Sequence, residues 1–190
     1  FAGIDGTLLI VALSVVFIIL LIVYRSPVLP VITLMGAIFA LSTAILLVWH
    51  LANAGILQLN GQVQGILFIL VIGAATDYAL LYIARYREEL MHRQSALQAT
   101  IAAWKASWEP IVAAGGTVTL GLLCLLASDL GSNKALGPVG GIGVMFSILS
   151  ALTFLPASLL LLGRAAFWPR RPHYTKNKSQ TDVRAEHPVW

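Results

Sequence analysis

The sequence predicts an all-α integral membrane protein with five transmembrane helices and one cytoplasmic interfacial amphipathic helix. Hydrophobic residues make up 58% of the 190 residues and charged residues only 11%, whereas soluble domains average about 25% charged residues. The apolar residues form continuous runs instead of alternating with polar ones, which indicates helices and not the strands of a barrel. This composition argues against a soluble enzyme, a disordered chain and a nucleic-acid binder.

Five apolar runs are long enough to cross a bilayer, whose hydrocarbon core needs roughly 20 helical residues. Short polar connections separate them, the tightest being the turn at 25–27. The runs form a predicted transmembrane domain over 1–164, and the polar, proline-containing stretch 165–190 is predicted to be a cytoplasmic tail or linker. The predicted spans are 7–24, 28–52, 64–86, 110–128 and 138–163.

The segment 87–108 between the third and fourth spans predicts the interfacial helix. Its larger apolar residues recur on one helical face, and basic residues lie between them. Tryptophan is typical of the boundary between lipid and water. A helix packed on a neighbouring soluble domain is the alternative interpretation. The apolar residues are Leu90, Leu97, Ile101, Trp104 and Trp108.

The distribution of basic residues predicts the orientation. Eleven of the 12 Lys and Arg residues fall on the side of the chain that carries the C-terminal tail, and only Lys134 falls on the other. By the positive-inside rule, the richer side is cytoplasmic. The N-terminus is therefore predicted to lie outside the cell and the tail inside it.

Of all residues in the predicted spans, Asp77 costs the most free energy to place in a membrane. It lies roughly 12 Å from the cytoplasmic end of the third span, and an acid near the centre of such a helix costs about 2.5–3.5 kcal/mol on insertion scales. A carboxyl at this depth can bind a proton from one side and release it to the other. The alternative is a permanently neutral Asp that only holds helices together by hydrogen bonds.

Three residues accompany Asp77 as candidates. Tyr78 could relay a proton, although plain packing explains it equally well. Gly73 lies one turn earlier on the same face and would open space beside the carboxyl. Thr117 on the fourth span could hydrogen-bond to an ionised group, but a bond to its own helix is the simpler expectation. The sequence shows no spacing typical of a metal site, a phosphate loop or covalent catalysis, so neither a cofactor nor an enzymatic activity is expected.

The stretches 73–81 and 84–90 together resemble the fourth-span motif of MmpL-type transporters, members of the resistance–nodulation–division superfamily. The shared pattern is a Gly, three residues, Asp-Tyr, and then Arg-aromatic-Arg-Glu-Glu. The turn 24–27, the opening of the last span at 136–140 and the exit at 167–170 are also similar to that family. The resemblance covers nearly all of residues 1–170.

The resemblance implies that the chain holds spans two to six of the N-terminal half of a longer protein. A second membrane half and extracytoplasmic domains would then be its partners, together with membrane lipids and a hydrophobic substrate. It further implies a proton-motive-force-driven exporter of lipids or other hydrophobic compounds in the bacterial inner membrane. In this family Asp77 and Tyr78 would form the proton relay with a matching pair from the other half.

Two other functions stay open at this point. A five-span unit of this layout also resembles the lipid- or sterol-sensing module of eukaryotic relatives, which would not need Asp77 to titrate. A proton-driven accessory subunit of protein export belongs to the same superfamily, but its motif matches this sequence less well.

Overall fold

The computed structural model describes residues 2–57, 60–93, 95–128 and 131–168, which fold into helices without a strand. Four helical segments are long and apolar enough to cross a membrane, and Ile10–Tyr24 is a shorter apolar helix. The all-α fold is confirmed, whereas the fifth crossing stays a prediction. The predicted tail from 169 onward lies outside the described residues. The helices are α1 (Ala2–Tyr24), α2 (Val28–Asn53), α3 (Gly61–His92), α4 (Ala96–Leu123), α5 (Gly131–Leu152) and α6 (Phe154–Leu162), with 3-10 turns at Cys124–Ala127 and Gly163–Phe167.

The separate helix predicted over 87–108 is wrong, because that segment is divided between two long helices. Its first residues extend α3 to His92, and its remainder forms the start of α4, which runs without a break through Pro110. A proline inside a helix is tolerated in membrane proteins, where neighbouring groups satisfy the freed carbonyl. Helix α3 ends at His92, and there the Arg164 guanidinium donates to the carbonyls of Leu90 and Arg93 at 3.2 and 2.9 Å.

Helix α5 lies at the centre of the bundle and packs against α2, α3 and α4. Glycines allow this close approach, since a Cβ at Gly143 would lie 2.6 Å from Val71 Cγ2 on α3. Small residues take this role in membrane helices because lipid provides no hydrophobic drive for association. Hydroxyls add bonds between helices: Ser147 donates to the Val71 carbonyl at 3.2 Å, and Ser150 donates to the Gly36 carbonyl at 2.7 Å.

The last predicted span, 138–163, is divided at Thr153 into α5 and α6. Pro156 has no N–H, so it cannot bond to the Leu152 carbonyl one turn earlier. The indole N–H of Trp104 on α4 donates to that carbonyl instead, at 3.1 Å. One proline thus both kinks the span and provides a hydrogen-bond acceptor for the neighbouring helix.

Replacing Trp104 with Phe in the full-length protein should lower the thermal unfolding midpoint, because it removes a hydrogen bond worth about 1 kcal/mol. Trp108→Phe is the matched control: Trp108 is 44% exposed against 42% for Trp104, and its indole makes no hydrogen bond within the described ranges. The midpoint, measured by light scattering in detergent, should fall only for the first variant. Equal midpoints would show that the Leu152 carbonyl does not need this partner.

Candidate functional site

Asp77 lies near the midpoint of α3, on a face of that helix that no described part of the chain covers. Its neighbours on this face are apolar and follow at intervals of four residues: Ile69 is 60% exposed and Leu81 is 45% exposed. Residues four apart stack on one side of a helix. Asp77 is therefore the one ionisable group in an exposed apolar stripe formed by Ile69, Gly73, Asp77 and Leu81.

The carboxyl opens into an apolar groove of about 870 Å³ between α3 and α4. Gly73 borders the groove as expected, and a Cβ at this position would meet no atom within 4 Å. From α4 the groove is lined by Ala114 and Val118. The space beside Asp77 is thus open and lined mainly by carbon.

Among the described residues, no side chain forms a hydrogen bond or an ion pair with Asp77. The nearest basic residue along α3, Arg85, pairs with Glu88 at 3.0 Å near the end of the helix. An acid in a membrane segment almost always faces the bundle interior, a water-filled cavity or a partner group. Asp77 is exposed and has no such partner in the part of the chain that the structure describes.

Tyr78 points away from this exposed face, into the bundle. Its side chain is only 5% exposed, because successive residues of a helix are rotated by about 100°. Its hydroxyl lies 3.0 Å from the position that a Cβ at Gly115 would take. Tyr78 is also one of the residues that line the groove. Asp77 and Tyr78 therefore border the same groove, Asp77 from the exposed face of α3 and Tyr78 from its buried face.

Thr117 does not line the groove, and its hydroxyl forms the bond to its own helix that was the simpler expectation. Thr117 is exposed, and the acceptor of its hydroxyl is the Ala113 carbonyl at 2.9 Å. The rotation of α4 about its own axis explains the exposure of Thr117, because Ile111 and Gly115 are the residues that α4 buries at this level. Gly115 is the α4 residue that makes room for Ile148 of α5 and for the Tyr78 hydroxyl, and its lack of a side chain is the only signal of this in the sequence.

The comparisons with known proteins agree with this architecture. The model of the MMPL family matches residues 1–188. A membrane protein of Streptomyces coelicolor is 55% identical over 190 residues, which cover 100% of this chain and 26% of that protein. The apo-petrobactin exporter of Bacillus anthracis is 36% identical over 92% of this chain and 24% of its own length.

A third relative is the sulfolipid-1 exporter MmpL8 of Mycobacterium tuberculosis, which is 35% identical over 81% of this chain and 14% of its own length. The chain thus spans about a quarter or less of these relatives, and it matches their N-terminal part. The family model covers nearly the whole sequence, and four of the described helical segments are long and apolar enough to cross a membrane. The chain belongs to the MMPL family.

Proposed function

We propose that this chain is the membrane half of a proton-motive-force-driven exporter of lipids or other hydrophobic compounds. The observation that carries the proposal is the unpartnered carboxyl of Asp77 in an apolar groove at the middle of α3. Two relatives are named as exporters, one of petrobactin and one of sulfolipid-1. The second half of the protein would cover the exposed stripe of α3, and extracytoplasmic domains would contact the substrate.

Proton binding at Asp77 would change the charge of the only ionisable side chain in the stripe. A charged carboxylate favours water or a hydrogen-bonding partner, whereas a neutral carboxyl tolerates an apolar surface. Each protonation step would therefore change how α3 packs against its partner half. Moving one charge across 100 mV is worth about 2.3 kcal/mol, which can drive such a repacking in one direction.

The proposed topology places the multi-pass chain in the bacterial inner membrane, with its N-terminus outside and its tail in the cytoplasm. The distribution of basic residues supports this orientation. A lipid-sensing module is the competing function. It would use the groove for a bound lipid without any need for titration at Asp77.

Collapse of the proton gradient tests the coupling. Nigericin together with valinomycin in potassium medium collapses both the pH gradient and the membrane potential. This treatment should stop the export of lipids and hydrophobic compounds by cells that make the full-length protein, at unchanged cellular ATP. Mass spectrometry of the extracellular lipid fraction, compared with cells that lack the gene, measures the export. Export that continues under both ionophores and stops only when ATP is depleted would contradict a proton-driven mechanism.

A further inference from the structure

A second pocket lies where α1 ends and α3 approaches its own end, away from the Asp77 groove. It has a volume of about 270 Å³ and is lined by Val23, Tyr24, Arg25, Arg87 and Phe167. Two guanidinium side chains thus border one small space. Both belong to the side of the chain that the positive-inside rule assigns to the cytoplasm.

Neither arginine of this pocket has a carboxylate partner among the described residues. The two glutamates that follow Arg87 are already engaged: Glu88 pairs with Arg85 at 3.0 Å and Glu89 pairs with Arg93 at 2.7 Å. Two unpaired positive charges at one pocket repel each other, and a bound anion removes that repulsion. The charge arrangement therefore favours an anionic ligand.

The backbone around Arg25 is held in a fixed and unusual conformation. Arg25 has a φ of 52°, in the left-handed region that residues other than glycine seldom adopt. The next residue, Ser26, is buried and donates its hydroxyl to the Ala166 carbonyl at 2.9 Å. Strain of this kind persists where the surrounding structure enforces it, and it is typical of ligand-binding positions.

One wall of the pocket is a buried aromatic residue, and another is an exposed apolar residue of α1. Phe167 is 4% exposed and packs on Tyr86 with ring centroids 6.1 Å apart. Val23 is 54% exposed, and the preceding residues of α1 continue as an exposed apolar surface through Ile22 and Ile19. A ligand seated between the arginines can therefore extend an apolar tail along α1.

We propose that this pocket binds the phosphate of an anionic phospholipid, with its acyl chains along the exposed face of α1. A guanidinium donates two parallel hydrogen bonds to phosphate oxygens, which gives geometric specificity as well as attraction. Basic pockets between membrane helices on the cytoplasmic side are suited to such head groups. The site is independent of the Asp77 groove, and it would hold the turn between α1 and α2 against the membrane surface.

Binding of fluorescent phosphatidylglycerol to the full-length protein in a nonionic detergent tests this site. Arg25→Gln and Arg87→Gln should each weaken the binding roughly tenfold, the cost of losing one charged hydrogen-bond donor. Arg85→Gln removes the same charge from the same end of α3, but Arg85 does not line the pocket, so it should bind as the wild type does. Phosphatidylcholine with the same label should bind weakly to all four proteins.

Three results would overturn the proposal. Equal weakening by all three variants would mean a general attraction to positive charge, and unchanged binding in the two pocket variants would mean no site. Displacement of the lipid by inorganic phosphate alone would assign the pocket to a soluble anion. Arg25→Lys, which keeps the charge without the planar fork, should bind with intermediate affinity, and thermal unfolding without anionic lipid verifies that each variant is folded.

Discussion

Asp77→Asn in the full-length protein is expected to reduce export to the level of cells that lack the gene. The amide has nearly the same size as the carboxyl but cannot bind and release a proton. Because Asp77 is the only ionisable residue of the exposed stripe on α3, no neighbour within that stripe can replace it. The extracellular lipid fraction, measured by mass spectrometry at matched membrane expression, reports the effect.

Two further variants make this result specific. Asp77→Glu keeps a titratable carboxyl in a groove that has room for one more methylene, so part of the export should remain. Thr117→Ala changes an exposed hydroxyl that bonds only to its own helix, and export should be unchanged. Full export by Asp77→Asn would leave Asp77 with a structural role and would favour the lipid-sensing interpretation.

Gly137→Ala is expected to cause a large loss of stability, because the added methyl group would meet the backbone of a neighbouring helix. The Cβ would lie 2.8 Å from the carbonyl oxygen of Leu122, a backbone atom of α4 that cannot move without the helix. Overpacking costs typically about 1–3 kcal/mol, and a rigid obstacle places this site at the upper end. Thermal unfolding of the full-length protein in detergent measures the change.

Two other glycines provide the comparison. At Gly143 the obstructing atoms are Val71 Cγ2 at 2.6 Å and Leu67 Cδ1 at 2.7 Å, the ends of side chains that can rotate. At Gly116 a Cβ meets nothing within 4 Å. The unfolding midpoint should therefore fall most for Gly137→Ala, less for Gly143→Ala and least for Gly116→Ala. A different order would mean that α4 and α5 pack less closely at Gly137 than the structure shows.

The sequence alone locates helices well where composition changes sharply. The predicted span 28–52 matches α2 within one residue, because the turn at Pro27 and the polar residues near Asn53 mark its ends. Helix α3 begins at Gly61, three residues before the predicted start, since the Asn60 side chain accepts a hydrogen bond from the Val63 N–H. That cap is visible in the sequence, but it precedes the apolar run.

The start of α4 could not be predicted from local composition. Pro110 looks like the first turn of a helix, yet the helix begins at Ala96. Between His92, where α3 ends, and Ala96, where α4 begins, the sequence has no glycine or proline, and the bonds at the end of α3 come from Arg164, about 70 residues later in the chain. The one local signal is Ser95, a residue type favoured at the N-cap of a helix.

The sequence identifies the central residue of the candidate site but not the residues around it, because their positions also depend on tertiary contacts. Asp77 is conspicuous in any apolar run, so the sequence identifies it without a structure. The residues around it depend on how α4 is rotated, and a helical step of about 100° separates Val118, which lines the groove, from Thr117, which does not. The packing of the buried face of α4 against the bundle, with Ile111 and Gly115 at this level, determines that rotation.

Proton movement by the purified full-length protein is the most direct test of Asp77 as a proton carrier. The protein is reconstituted in liposomes that contain a lipid extract of the host cell, a pH gradient is imposed, and a pH-sensitive dye in the lumen reports the flux. The wild type should move protons faster than empty liposomes, and Asp77→Asn should match the empty liposomes. Proton movement by Asp77→Asn at the wild-type rate would contradict the proposed mechanism.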